Sequence, residues 1–228
     1  MPLGSAAPEF AAQRAKMVER QLRRRGIGDE RVLEAMATVP RERFVPVRHR
    51  RRAYADRALP IGHDQTISQP WIVAAICEAL ELTGDERVLE VGTGSGYSAA
   101  VLARLAREVV TVERIEPLAA AAVGRLSELG VANVEVVVGD GSAGLAARGP
   151  FESIAVHATA PAPPPALVRQ LSAGGRLVVP VADAGADMLT VLTRLDQSAD
   201  PSSGEGLRSE VIGPCRFVPL IGSEGFPE

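Results

Sequence analysis

Arg87-Val-Leu-Glu-Val-Gly-Thr-Gly-Ser-Gly-Tyr97 decides the fold of this chain: an apolar strand carries an acidic residue near its end and runs into a three-glycine turn and the start of a helix. Gly92, Gly94 and Gly96 allow a sharp bend at positive φ and let a ligand approach the backbone, while the first turn of the following helix presents unpaired N–H groups. The spacing is GxGxG. A dinucleotide fingerprint places its third glycine one residue later, where Tyr97 stands, so the pattern points away from NAD and toward a ligand with a carboxyl group and a ribose, such as S-adenosylmethionine. A tight turn with no ligand uses the same glycines, so the neighbouring residues have to decide.

Working outward, strand and helix alternate: strand 88–91, helix 97–106, strand 109–112, helix 118–129, strand 134–138, strand 153–156, helix 166–171 and strand 176–181. Short apolar runs separated by helices predict an α/β fold with a doubly wound, mostly parallel sheet. Segments 188–194 and 216–220, joined by the polar, Gly/Ser-rich stretch 197–207, predict antiparallel C-terminal strands. Upstream lies an N-terminal helical extension. Met17, Val18 and Leu22 share helical spacing over 12–25 with Gly26 as the stop, Asp29 caps a second helix that ends before Pro40, and a third spans 70–82. The basic run Arg48-His-Arg-Arg-Arg52 reads as a solvated loop or a partner of surface carboxylates. The expected division is a disordered start (1–11), a helical and substrate-loop region (12–82), a cofactor-binding core (83–222) and a tail (223–228).

The 228 residues suit one domain, and an apolar fraction of 46% is enough for a sizeable core. A net charge of -3 gives no global reason to bind nucleic acid or an anionic membrane. No run approaches the roughly 20 apolar residues of a membrane span, and no signal peptide opens the chain, so a cytoplasmic protein is expected. Cys77 and Cys215 are expected to be reduced thiols, and no metal-ligand pattern surrounds them.

In a doubly wound sheet, ligands bind beyond the carboxyl ends of the strands. Three such ends carry acids. Glu90 precedes the glycine turn, where a carboxylate can face a ligand's ammonium; Glu113 ends the second strand, where it can accept both ribose hydroxyl protons; Asp140 with Gly141 ends the third, where it can accept from an adenine amino group. Together with Thr93 inside the turn, they point to an adenosine-containing cofactor. A second constellation lies in Leu59-Pro-Ile-Gly-His-Asp-Gln-Thr-Ile-Ser-Gln-Pro-Trp71. Gln65, Thr66, Ile67 and Ser68 sit on a segment that prolines restrict, as a substrate-positioning loop requires. Thr66 or Ser68 acting only as the cap of the helix at Pro70 is the alternative from the residues alone.

Gln65-Thr-Ile-Ser-Gln-Pro70, Val88-Leu-Glu-Val-Gly-Thr-Gly-Ser-Gly-Tyr97, Val112-Glu-Arg114, Gly139-Asp-Gly141, Gly174-Gly-Arg-Leu-Val-Val-Pro180 and Arg216-Phe-Val-Pro-Leu220 together resemble the protein-L-isoaspartate O-methyltransferases. Val39-Pro-Arg-Glu-Arg-Phe-Val45 is similar to that family's leader. The resemblance, over about 12–222, implies a Rossmann-like methyltransferase fold and methyl transfer from S-adenosylmethionine to the free carboxylate of isoaspartyl residues in peptides or damaged proteins. S-adenosyl-L-homocysteine is the expected product, and the chain is expected to act as a monomer without nucleic acid, membrane or metal. Ser68 matches the family's active-site serine, and the glycine turn, Glu113 and Asp140-Gly141 match its cofactor contacts.

Two positions depart from the family pattern. Gly62-His-Asp64 stands where Gly-x-Gly is common before the Gln-Thr-Ile-Ser segment, and His157 stands where a small residue or threonine is common. Both bear on the acceptor pocket and leave open a second reading, an aspartyl O-methyltransferase dedicated to one natural-product precursor peptide. A regulatory module that binds cofactor without turnover is countered by the intact Thr66-Ile-Ser68. A nucleic-acid methyltransferase would need an Asn/Asp-Pro-Pro-aromatic motif, and Pro163-Pro-Pro165 lacks its flanking residues.

Overall fold

The computed structural model describes residues 8–195 and 206–227. Helix α1 (Pro8–Met17) continues through a π-helical turn (Val18–Leu22) and a 3-10 turn (Arg23–Arg25), and Gly26 stops it at φ 98°. It begins four residues before the expected start at 12, so 8–11 are helical and not part of a disordered arm. Proline suits a first helical position, and Phe10 packs against the core. Residues 1–7 lie outside the described residues. Asp29 caps α2 (Glu30–Thr38) by accepting from the N–H groups of Arg31 and Val32, as its place in the sequence predicts.

The basic run forms an exposed 3-10 turn (Val47–Arg52). Next comes a small hairpin, β1 (Leu59–Gly62) and β2 (Gln65–Ile67), where the sequence suggested a loop. Gly62 pairs with Gln65, leaving His63 and Asp64 as a two-residue connection at φ 51° and 56°. Positive φ at both positions matches the twist of a tight hairpin, a conformation that aspartate and histidine accept more readily than most residues.

Helix α3 (Pro70–Ala79) leads to the main sheet. Its elements are β3 (Arg87–Val91), α4 (Tyr97–Leu102), β4 (Glu108–Glu113), α5 (Glu116–Glu128), β5 (Val134–Val138), β6 (Phe151–Val156), α6 (Pro165–Arg169), β7 (Leu171–Val181), β8 (Asp187–Arg194) and β9 (Leu207–Cys215). The strand order is β5-β4-β3-β6-β7-β8-β9, parallel from β5 to β7 and antiparallel from β7 to β9. The chain moves outward from β3 to β5 and then returns to β6 on the other side of β3. That reversal opens a crevice at the carboxyl ends of β3, β4 and β6. Alternation along β3 sends Val88 into a core shared with the N-terminal helices and Leu89 and Val91 into a second core beneath α6.

The final strand is not where the sequence placed it. β9 covers 207–215, whereas 216–220 is irregular apart from a parallel bridge between Thr159 and Pro219. β9 is an edge strand with Arg208, Ser209 and Glu210 exposed and Val211 and Ile212 also largely in water, so it lacks the apolar run that marks an interior strand. Pro214 is tolerated because it sits at that edge. Of the expected Gly/Ser-rich connection, 197–205 lie outside the described residues. The expected tail turns back: Ile221 bridges Phe226, and Ser223 is tied to Asp140. Among the described residues, no helix is long and apolar enough to cross a membrane. Cys77 and Cys215 are unbonded.

Removing the cap of α2 isolates one local contribution. Asp29→Ala should cost about 1 kcal/mol and lower the calorimetric midpoint by about 2–4 °C for a chain of this size; an unchanged midpoint would show that the two side-chain bonds contribute nothing.

Candidate active site

The glycine turn takes its shape from the neighbouring strand. The N–H groups of Gly92 and Thr93 both donate to the carbonyl of Val112, at 2.9 and 3.3 Å, and the three glycines adopt φ of 93°, 52° and 86°. They are not equivalent. A Cβ on Gly96 would lie 3.2 Å from Ala122 Cβ, so this glycine serves the packing of the turn on α5, whereas Gly92 and Gly94 face the crevice. Gly94 N–H donates to Glu113 Oε2 at 2.8 Å and Ile115 N–H to Oε1 at 3.0 Å. Each carboxylate oxygen of Glu113 therefore keeps further acceptor capacity, which suits two adjacent hydroxyls.

A cleft of about 940 Å³, partly open to solvent, lies over this turn. Gly92, Thr93, Gly94, Glu113 and Gly141 line one side of it; Gln65, Thr66, Ile67 and Ser68 line another. The irregular 218–221 segment closes over it. Gly141 is required by close approach, because a Cβ there would come within 2.6 Å of Val91 Cγ1. A second groove of about 1060 Å³ meets the cleft at Thr66, Ser68, His157 and Val218, which line both. The N-cap of α3 is Gln69, whose side chain makes no capping bond, so neither Thr66 nor Ser68 is consumed as a helix cap. Among the described residues, the Ser68 hydroxyl has no hydrogen-bond partner.

Two of the expected cofactor carboxylates are elsewhere. Glu90 is fully buried behind the cleft wall, because the pleat of β3 turns it to the face it shares with Val88. Its Oε2 accepts from Thr111 Oγ1 at 2.5 Å, and Thr111 Oγ1 in turn lies 2.6 Å from Thr93 Oγ1. Its Oε1 has no hydrogen-bond donor and sits 3.3 Å from His157 Nε2, which is 2.7 Å from Ser98 Oγ. Glu90 thus braces the wall through Thr111, which contacts Thr93, and does not line the cleft. Asp140 is also diverted. Its carboxylate accepts from the N–H and hydroxyl of Ser142 and from the N–H and hydroxyl of Ser223, all at 2.6–2.9 Å. Partial burial opposes ionisation, but those bonds outweigh it and hold the carboxyl down at about 2.

Arg41 is the residue the sequence did not expose. It is fully buried, with Nε donating to the carbonyl of Ala53 and one terminal nitrogen donating to the carbonyl of Ser68, both at 2.7 Å. Its guanidinium lies 4.9 Å from the centre of the Tyr97 ring, and Phe44 meets that ring edge-on. Burial pushes Arg41 down to about 10, so it stays charged at neutral pH. In the sequence it is indistinguishable from half-exposed Arg43 two residues on.

Residues 12–225 match the family described as Protein-L-isoaspartate(D-aspartate) O-methyltransferase (PCMT). The chain is 53% identical over 226 residues to Protein-L-isoaspartate O-methyltransferase 1 of Rhodopseudomonas palustris (strain HaA2), covering 99% of this chain and 89% of that one. It is 49% identical over 225 residues to Protein-L-isoaspartate O-methyltransferase of Koribacter versatilis (strain Ellin345), covering 97% and 98%. A solved structure of a protein-L-isoaspartate O-methyltransferase superposes with a TM-score of 0.79 at 28% identity, covering 93% of this chain and 67% of that one.

Arg41→Met would leave the buried Ala53 carbonyl and the partly buried Ser68 carbonyl without this donor, at a cost of about 2 kcal/mol or more. A fall of about 4–8 °C in the calorimetric midpoint is expected; a midpoint within 1 °C or so of the native value would remove Arg41 as the anchor of the Ser68 segment.

Proposed function

The chain belongs to the protein-L-isoaspartate(D-aspartate) O-methyltransferase family, and from that premise we propose that Ser68 orients the acceptor while the glycine turn, Glu113 and Gly141 hold the donor. The reaction is methylation of the free carboxylate of isoaspartyl residues, and the cofactor is S-adenosylmethionine. Relatives of nearly the same length and about half the same residues carry the isoaspartate name, which favours this reaction over a dedicated precursor peptide.

The cleft fits that cofactor. The backbone around Gly92 and Gly94 is accessible, Glu113 retains acceptor sites for two hydroxyls, and Gly141 leaves a flat surface where the second core meets the cleft. The bound cofactor supplies a methyl group on a sulfonium whose departure yields neutral S-adenosyl-L-homocysteine. With Glu90 and Asp140 held in other contacts, donor recognition falls mainly to backbone groups and Glu113.

The acceptor asks little of the protein in the way of proton chemistry. A carboxyl with a pKa of about 4 is already ionised at neutral pH, so no general base is needed. What remains is alignment: oxygen, methyl carbon and sulfur held in line with water kept out. The Ser68 hydroxyl, unpartnered among the described residues where the cleft meets the groove, carries this reading, since it can donate to one carboxylate oxygen and leave the other to attack. A strong cation on the reacting carboxylate would stabilise the ground state more than the transition state. The methyl ester then cyclises without the enzyme: the following backbone nitrogen displaces methanol, and the succinimide hydrolyses partly to aspartate. The two unbonded cysteines suit a reducing, cytoplasmic setting.

Matched peptides containing isoaspartate, aspartate or asparagine, offered with labelled cofactor, test the reaction. Strong preference for isoaspartate is expected, and equal labelling of the aspartyl peptide would overturn the repair reading. Ser68→Ala tests the assignment separately. Losing one hydrogen bond to a charged group should lower kcat/KM about 10- to 100-fold with cofactor affinity within about twofold; native turnover would release Ser68 from the role.

A further inference from the structure

The groove that meets the cleft at Ser68 has a charge of its own. Arg25, Asp56, Arg57 and Arg216 are the Asp, Glu, Lys and Arg residues among those that line it. Asp56 is already occupied: Arg25 pairs with it at 2.8 Å and Gln69 donates to its other oxygen at 2.7 Å. Arg25 also lies over the Trp71 ring, 5.0 Å from its centre. Asp187, just beneath, accepts from Thr159 and from the Phe217 N–H and is not part of the lining. Arg57 and Arg216, one from the segment before β1 and one from the segment after β9, are exposed, and among the described residues neither has an ion-pair partner. A chain of net charge -3 therefore presents a locally cationic groove next to its acceptor serine.

We infer that this groove selects isoaspartyl peptides whose neighbouring residues are acidic, with Arg57 and Arg216 reading the flanks. The inference rests on the acceptor role of the Ser68 junction. Both arginines serve the peptide on either side of the reacting residue and leave its carboxylate to Ser68, so they contribute equally to the bound substrate and to the transition state. Such binding changes KM and leaves kcat alone. Exposed ion pairs of this kind are worth about two- to fivefold each in affinity and weaken with salt.

Trp71 lines the groove and is the single tryptophan of the chain, so its fluorescence reports peptide binding independently of turnover. Three isoaspartyl hexapeptides differing only in flanks of two glutamates, two glutamines or two lysines are titrated at low and at 0.5 M salt, and their methylation is measured in parallel. Glutamate flanks should give dissociation constants and KM values about four- to twentyfold below lysine flanks at low salt, with kcat unchanged and the gap narrowed at high salt. The double variant Arg57→Gln/Arg216→Gln should abolish most of that gap while its melting midpoint and cofactor affinity stay native. Equal binding of the three peptides, preference for lysine flanks, or a gap that survives in the double variant would overturn the inference. Selective binding without methylation of any peptide would uphold the groove and sink the assigned reaction.

Discussion

The guanidinium of Arg41 lies between the ring of Tyr97, the first residue after the glycine turn, and the carbonyl of Ser68, the proposed acceptor residue. This single buried cation joins the two halves of the site. The proposed donor half is built by the β3–α4 turn, and the proposed acceptor half by the β2–α3 segment, more than twenty residues apart in sequence. A mobile surface contact would let them drift. A charge held between the Tyr97 ring and two carbonyls has few alternative arrangements, because most other buried positions offer it no acceptor. Alignment catalysis needs that kind of fixity, since the chemistry has no acid or base to compensate for a misplaced oxygen.

The rest of the donor side follows from a second rigid relation. Val112 accepts from two N–H groups of the turn and Glu113 from a third, so the end of β4 determines the form of the loop after β3. Behind that loop, Glu90, Thr111 and Thr93 form a buried hydroxyl and carboxylate chain with His157 and Ser98 beside it. The hydroxyls of Thr111 and Thr93 and Oε2 of Glu90 are bonded to one another, as buried polar groups require, and they stiffen the wall from within.

What the sequence reveals depends on which physical signal reaches it. The glycine turn, the Asp29 cap and the interior strands are legible, because positive φ, capping and dense apolar runs each demand particular residues in particular places. β9 is hidden: an edge strand half in water carries Arg208, Ser209 and Glu210 where alternation would expect apolar side chains, and the apolar residues of 216–220 look more strand-like while lining the site. Of the three acids at strand ends, only Glu113 reaches the cleft. Whether an acid at a strand end faces a ligand depends on the pleat and on distant partners, and nothing near Asp140 in sequence announces Ser223. Arg41 is the extreme case, since burial of one arginine among several is decided by tertiary packing alone.

The clamp on Asp140 has a bearing on the enzyme's own ageing. Asp140-Gly141 is the one Asp-Gly pair in the chain, and glycine offers the least obstruction to a backbone nitrogen attacking the preceding carboxyl. That attack forms a succinimide, the same ring through which isoaspartate arises. Four hydrogen bonds keep the Asp140 carboxyl ionised, hence a poor electrophile, and pin its oxygens in place. Ser223, far along the chain, supplies two of the four bonds that restrain the carboxyl at this vulnerable pair.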